Sequence, residues 1–246
     1  LYDLGIVKGH DLLYIKSHLI LLEAKMEDVV SEGSDNVLVS LDKVIDIFTT
    51  LHPRDTLLLS PDKKKKEMSL DESITDYHPK MLDIILEKIN VLIALGRLIE
   101  ANRLIQDALQ VAETFFADDH PTTADCLYMR ALACIRSGKF LEGMSHLDKA
   151  SKIYVDKYLT VDPKTNTKNE EHISYAKCQF LVAEVYRSQG LPNLASPVYD
   201  KTLQMRNNIF SESHVHIDII ETMFGLAMNH KALGHHDEAT NLFAEL

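Results

Sequence analysis

The fold is decided by a stretch that reads HPKMLDIILEKINVLIALG at residues 78–96 and returns as HPTTADCLYMRALACIRSG at residues 120–138. A glycine closes each copy, and Gly190 and Gly234 continue the pattern at slightly longer intervals. Self-similarity at such a period is typical of a solenoid, in which each repeat packs on its neighbours. We therefore expect a repeat protein with two short insertions.

Small and large apolar residues recur at fixed distances from the four glycines. Seven positions before the glycine, three of four repeats carry alanine: Ala131, Ala183 and Ala227. Five positions after it, all four residues are small: Ala101, Gly143, Ala195 and Ala239. Nine after it, all four are large: Ile105, Leu147, Tyr199 and Phe243. Glycine readily adopts the left-handed conformation that ends a helix, and small residues let two helices cross closely. Each repeat is thus predicted to be a helix, a tight turn and an antiparallel helix.

This pattern resembles the tetratricopeptide repeat, and the 42-residue period with the openings His78-Pro79 and His120-Pro121 is similar to the kinesin light chain type. The resemblance spans about residues 78–246. It implies an all-α fold, a right-handed α-solenoid of antiparallel helical hairpins.

The predicted organisation has three parts. Residues 1–52 form a helical hairpin, either a degenerate repeat or an N-terminal packing hairpin. Residues 53–76 form a charged, mobile loop, in which Lys63 to Lys66 are more simply explained by solvation than by contact with an acidic surface such as the tubulin tail. Residues 77–246 hold four repeats with an inserted loop at 158–170, and the repeats span 77–117, 118–157, 171–210 and 213–246.

Composition excludes several classes of protein. With 246 residues, 46% of them hydrophobic, the chain can bury a core, and its net charge of -11 disfavours nucleic-acid binding. Because no run of about 18 apolar residues occurs, we expect no membrane insertion. Three cysteines without paired spacing indicate free thiols in the cytoplasm. The chain begins with Leu1 and stops within a predicted helix, so we expect an excerpt of a longer protein.

We find no catalytic motif. The chain has no glycine-rich phosphate loop, nucleophile elbow or CxxC pair, so we expect no catalytic residues, no cofactor and no enzymatic activity. His214 and His216 are predicted at the start of one helix, and His235 and His236 beyond its end. That separation is too large for a shared metal site. Cys126 and Cys134 are interpreted as small core residues, and no metal is expected.

The first helices of stacked hairpins line the inner groove of such a fold, and counting back from each glycine identifies the residues that would face it. The predicted groove carries aromatic and basic side chains, which suit an extended peptide with an acidic residue beside a large apolar one. Alternatively, the aromatic rings pack between adjacent first helices and the charges are solvated. The candidate binding residues are Asn90, Tyr128, Arg136, Lys177, Phe180, Glu184, Arg187, Phe224 and Lys231.

These observations favour a non-enzymatic scaffold that binds other proteins through the concave groove and the repeat edges. The resemblance implies a microtubule-based or ciliary assembly, hence a cytoplasmic protein associated with the cytoskeleton or cilium. One alternative is a kinesin light chain-like cargo adaptor that recognises acidic or aromatic peptides. Two others are a regulatory repeat arm of an enzyme whose catalytic domain lies elsewhere, and a structural spacer without a groove ligand.

Overall fold

The structure is a computed structural model that describes residues 34–51, 81–159, 172–210 and 216–246. Every regular element within these ranges is helical. The helices are α1 (Ser34–Leu51), α2 (Leu82–Ala94), α3 (Leu98–Phe115), α4 (Pro121–Arg136), α5 (Phe140–Tyr158), α6 (Ile173–Ser188), α7 (Pro192–Ile209), α8 (Ile217–Leu233) and α9 (His236–Glu245). No helix in the described ranges is both long and apolar enough to cross a membrane. The predicted helix before residue 34 and the loop with Lys63 to Lys66 lie outside these ranges.

The chain divides into two compact units, residues 1–129 and 130–246, and the boundary falls within α4. The repeat boundaries stay a prediction.

In the first unit, α2 packs against α1 and α3. Its interior is aliphatic, and a charged pair, Lys88 of α2 with Asp42 of α1, lies at its edge. The fully buried side chains on the facing stripes include Val44, Ile85, Ile89, Leu92, Ile105 and Ala108. Burial of such aliphatic side chains stabilises the unit by about 1.5–3 kcal/mol each.

In the second unit, consecutive helices from α5 to α9 pack against one another, and α6 also contacts α8. Its core mixes apolar residues with larger polar ones. Tyr154 and Tyr199 are almost wholly buried, and so is the side chain of Arg206 at 2% exposure. Because a buried polar group requires a hydrogen-bond partner, this unit contains side-chain networks among its helices.

The turn within each hairpin has the same geometry four times. The glycines at its centre have φ values of 74°, 76°, 71° and 81°, in the left-handed region. In the first turn, the amide of Gly96 donates to the carbonyl of Ile93, and that of Arg97 to the carbonyl of Leu92, at 3.0 and 2.8 Å. Equivalent pairs of bonds close the other three turns. This is the Schellman arrangement, which satisfies carbonyls at the end of the first helix.

The small residues predicted at the helix crossings are all buried. In the second hairpin, Gly143 of α5 lies directly against α4. A Cβ at this glycine would lie 2.7 Å from Cγ1 of Ile135 and 3.2 Å from the carbonyl oxygen of Ala131. Both distances are shorter than ordinary van der Waals contact, so the crossing requires glycine.

A histidine caps the first helix of three repeats. Nδ1 of His120, His172 and His216 accepts a hydrogen bond from the backbone N–H two residues later, at 3.2–3.3 Å. Each ring also stacks on an aromatic residue that follows or ends the preceding second helix. The stacked pairs are Phe116 with His120, Tyr158 with His172 and Phe210 with His216, with centroids 4.5, 3.9 and 3.6 Å apart. The stack holds together the ends of each connection between repeats.

We expect Gly138→Ala and Gly143→Ala to destabilise the chain for different reasons. At Gly138 the added methyl meets no atom, so the cost is the left-handed backbone alone, about 1 kcal/mol. At Gly143 the backbone is helical and the methyl group collides with α4, so we expect a loss of about 1–3 kcal/mol. Urea denaturation measures both free energies of unfolding. An unchanged stability for Gly143→Ala would contradict the close crossing.

Replacement of His172 separates its two roles. His172→Asn keeps an acceptor for the Ser174 amide but loses the ring, whereas His172→Ala loses both. We expect about 1–2 kcal/mol of destabilisation for the alanine variant and about half of that for the asparagine variant. The measurement is again urea denaturation. Equal effects of the two substitutions would show that the cap adds nothing.

Candidate functional site

The first unit contains two of the nine candidate binding residues. Asn90 lies exposed on α2. Tyr128 lies half-buried on α4 and takes part in further interactions. The neighbouring positions in α2, Leu86 and Ile93, are buried, so the first unit offers little apolar surface beside Asn90.

In the second unit, Phe180 of α6 is held by two side chains of α7. The guanidinium carbon of Arg206 lies 4.7 Å from the centroid of the Phe180 ring. The Tyr199 ring packs edge-on at 6.2 Å. This half-buried phenylalanine therefore acts in the packing of α6 on α7.

Glu184 and Arg187, also predicted for the groove, bind each other and Tyr199. The Arg187 guanidinium donates to the Glu184 carboxylate, with the shorter contact at 2.6 Å, and to the Tyr199 hydroxyl at 3.2 Å. The Tyr199 hydroxyl in turn donates to Glu184. Burial and the Glu184 carboxylate raise the pKa of Tyr199, and the hydrogen bond to Glu184 raises the pKa of Arg187. The charge of Arg187 is thus largely compensated within the hairpin.

Arg206 extends this network toward α8. Its guanidinium donates to the hydroxyl of Thr222 at 2.6 Å and to the backbone carbonyl of Asp218. Because Thr222 is fully buried and Arg206 almost so, the pair links α7 to α8 in the interior. A charge at such depth requires these acceptors and the face of an aromatic ring.

The remaining candidates of the second unit are exposed. Arg136, Lys177 and Lys231 form no salt bridge with the described part of the chain, and Phe224 is 52% exposed with its ring edge-on to Phe243 at 5.9 Å. Lys177 of α6 has an acidic neighbour, Glu221 of α8. Burial raises the pKa of Glu221, an effect that the charges of Arg206 and Lys177 partly offset. Lys231 and Phe224 are therefore the candidates on α8 that stay available to a partner.

Other polar groups meet near the turn of the second hairpin. One ligand atom each of Cys134, Glu142 and His146 lies within 4.8 Å of the others. Burial raises the pKa of the Cys134 thiol, and the negative charge of Glu142 adds to the effect. Burial lowers the pKa of His146, as do the nearby charges of Arg130 and Lys149. This combination of thiol, carboxylate and imidazole can coordinate a transition metal.

The other cysteines and histidines are arranged differently. Cys126 and Cys178 are buried, and burial raises the pKa of Cys126 to about 12. His216 and His235 lie at opposite ends of α8, as expected, while His214 is outside the described residues. His230 and His235 approach each other, with 3.4 Å between their Nδ1 atoms.

Comparison with known proteins identifies the class. Residues 81–154 match the family model "Tetratricopeptide repeat". The fold is similar to that of a Podosopora anserina protein assigned as a kinesin light chain, with nearly identical TPR-like repeats. That match has 17% identity and a TM-score of 0.56, and covers 97% of this chain and 94% of that one. No curated protein sequence matches the chain.

Two further solved structures share the fold. BtubC (BKLC) from P. vanneervenii is 14% identical, with a TM-score of 0.58, over 96% of this chain and 89% of that chain. The apo form of RapI is also 14% identical, with a TM-score of 0.54, over 94% and 68% of the two chains. At these identities the likeness concerns the fold alone.

The predicted fold class is therefore confirmed: the described residues form an all-α, tetratricopeptide-like fold similar to that of kinesin light chain-like repeat proteins, and residues 81–154 match the repeat model. Repeats of this kind are typically non-catalytic scaffolds for protein interaction. The sequence-based reasoning missed Arg206, the partner of Phe180, and the group around Cys134. The sequence did contain a signal for both. Arg206 occupies the position of Ala112 in the first repeat, and Cys134 and His146 occupy the positions of Leu92 and Leu104.

Two phenylalanines at equivalent positions are expected to differ in their effect on stability. Phe180→Ala removes the ring that covers Arg206, so we expect a loss of about 2 kcal/mol or more. Phe224→Ala removes a mainly exposed ring and is expected to cost less than about 1 kcal/mol. Urea denaturation of the two variants tests the difference. Similar losses would show that Phe224 is as much a packing residue as Phe180.

Proposed function

We propose that this protein is a non-enzymatic interaction scaffold that binds an extended segment of a partner along α6 and α8. The observation that carries the proposal is an exposed aromatic ring, Phe224, on the same helix as a cation without a salt bridge in the described chain, Lys231. We call the exposed side chains Lys177, Phe224 and Lys231 the recognition face.

The spacing on α8 defines the ligand. Phe224 and Lys231 are seven residues apart, which is two helical turns or about 10 Å on one side of the helix. An extended peptide advances about 3.3 Å per residue. A ligand with a large apolar residue and an acidic residue about three positions apart would therefore reach both side chains.

Rigid packing beneath the recognition face supports the same function. Gly225 allows α8 to approach Tyr199, since a Cβ there would lie 2.7 Å from Cε1 of the tyrosine. The network of Glu184, Arg187 and Tyr199 holds the neighbouring helix α6. A surface whose backbone is already ordered loses less entropy when it binds a partner.

For the cellular setting, we propose a cytoplasmic role in a microtubule-based or ciliary assembly. The likeness to kinesin light chain-like repeats supports this setting, and it equally suits a cargo adaptor that recognises acidic or aromatic peptides. The available surface of Phe224 and Lys231 favours peptide binding over a purely structural spacer.

The test is affinity purification from cell extract with the parent chain and four variants, followed by mass spectrometry. Lys231→Glu reverses a charge on the recognition face, and Lys152→Glu makes the same change at an exposed position of α5. Phe224→Ala removes the exposed ring, and Leu141→Ala removes an exposed apolar side chain near a turn. We expect Lys231→Glu and Phe224→Ala to lose a partner that the parent and both controls retain.

Salt provides a second readout of the same partner. Because an exposed cation contributes to binding through screened charge, retention by the parent should weaken as ionic strength rises. A partner that every variant retains would place binding outside the recognition face and would contradict the proposal.

A further inference from the structure

Three positions near the turn of the second hairpin lie close together in space. They are the residue four positions before the turn glycine and the residues four and eight positions after it. In the first repeat these positions hold Leu92, Glu100 and Leu104, and in the third Tyr186, Leu194 and Val198. Tyr186 and Val198 pack against one apolar cluster. The second repeat instead carries Cys134, Glu142 and His146 there. Cysteine and histidine thus occupy two positions that are apolar or aromatic in the first and third repeats, beside a glutamate that the first repeat also carries.

The three ligand atoms are already close. They lie within 4.8 Å of one another, one from α4 and two from successive turns of α5. In a tetrahedral zinc site, with a metal–sulfur distance of about 2.3 Å and metal–nitrogen and metal–oxygen distances of about 2.0–2.2 Å, the ligand atoms are about 3.3–3.6 Å apart. Side-chain rotations that move each atom by about 1 Å or less would therefore close the site.

An unsatisfied atom points to a ligand independently of this spacing. Nδ1 of His146 is one of three buried side-chain atoms without a hydrogen-bond partner in the described part of the chain, together with Nε of Arg206 and Oδ1 of Asn229. A buried polar atom without a partner is uncommon in native proteins, and a bound ion is one of the groups that can satisfy it. Cys134 is buried and forms no disulfide, and its thiol interacts with Glu142.

We propose that Cys134, Glu142 and His146 bind a zinc ion that joins α4 to α5 close to their turn. Sulfur, nitrogen and oxygen together suit zinc, whereas magnesium and calcium prefer oxygen alone. On binding, the Cys134 thiol releases its proton to solvent, and the resulting thiolate and the Glu142 carboxylate balance the charge of the ion. The fourth coordination position is left to water or to a side chain of a partner.

The surroundings limit the affinity of this site. Arg130 and Lys149 lie close enough to His146 to act on its charge. Lys139 lies 4.0 Å from the second oxygen of Glu142. These cations oppose a metal ion, so binding requires the thiolate. Zinc binding is separate from the recognition face and goes beyond the proposed function.

Cobalt(II) tests the site because thiolate ligation of this ion produces a charge-transfer absorption in the near ultraviolet. We expect the full chain, kept under reducing conditions, to show this band and zinc to abolish it by displacement. Cys134→Ala should remove the band, and Glu142→Gln and His146→Gln should weaken cobalt binding about tenfold or more. Cys178→Ala, a buried cysteine elsewhere in the second unit, should keep the band. No band in the parent, or a band that survives Cys134→Ala, would overturn the proposal.

Thermal unfolding keeps the test decisive if a variant folds poorly. At a zinc concentration about a hundred times the dissociation constant, we expect the melting temperature of the parent to rise by about 5 °C or more. The rise should be lost in His146→Gln, whose folding without zinc is checked by circular dichroism. His235→Gln disrupts the close pair of His230 and His235, which lies away from the proposed site, and should preserve the rise. An equal rise in His146→Gln would place the metal elsewhere and would sink the proposal.

Discussion

The left-handed glycine between two helices is the constraint on which each hairpin depends. With φ between 71° and 81° at all four turns, the chain reverses within a short connection and the second helix begins at once. So short a turn fixes how far the second helix is shifted along the first. In the second hairpin, that shift brings Gly143, five positions after the turn glycine, against Ala131, seven positions before it.

In the third repeat, one large side chain forces a chain of polar substitutions. Nine positions after the glycine, the other repeats have Ile105, Leu147 and Phe243, and the third has Tyr199, whose hydroxyl is carried into the interior. A buried hydroxyl needs a partner, and Glu184 supplies one. The carboxylate then needs a positive charge, and Arg187 supplies it one turn later. Glu184 and Arg187, which their spacing in the sequence assigns to the groove, thus form hydrogen bonds within the hairpin.

The helical hairpins could be predicted because their signals are short-range and repeated. The glycine, the small residues and the apolar stripe each recur at constant spacing. The histidine caps could have been predicted too: His120, His172 and His216 all lie at one constant distance before a turn glycine, whereas only the two His-Pro openings were recognised. Their aromatic partners Phe116, Tyr158 and Phe210 lie at one constant distance after such a glycine. The inserted residues lie between each aromatic residue and the histidine that follows it. The distance from one histidine to the next therefore varies, and no single period describes it.

The groove residues were harder, because counting along a helix shows which side a residue faces and not what else reaches it. Phe180 and Phe224 occupy the same position in consecutive repeats, yet only Phe180 is covered by an arginine. That arginine, Arg206, occupies the position at which the first two repeats bury Ala112 and Tyr154. Its length allows it to reach both Phe180 and Thr222, a contact between helices that sequence spacing does not encode.

The polar residues Tyr199, Arg206 and His146 all occupy positions that are apolar in other repeats. A position that is apolar in one repeat and polar in another stays in the interior, since the turn holds the helices in the same relation. A polar side chain there therefore either forms a hydrogen bond within the protein or leaves a buried donor or acceptor without a partner. The Tyr199 hydroxyl finds one on α6, and one guanidinium nitrogen of Arg206 finds acceptors on α8, while Nε of Arg206 has none among the described residues. Nδ1 of His146 likewise lacks one there, and it belongs to the three side chains for which we propose a zinc ion.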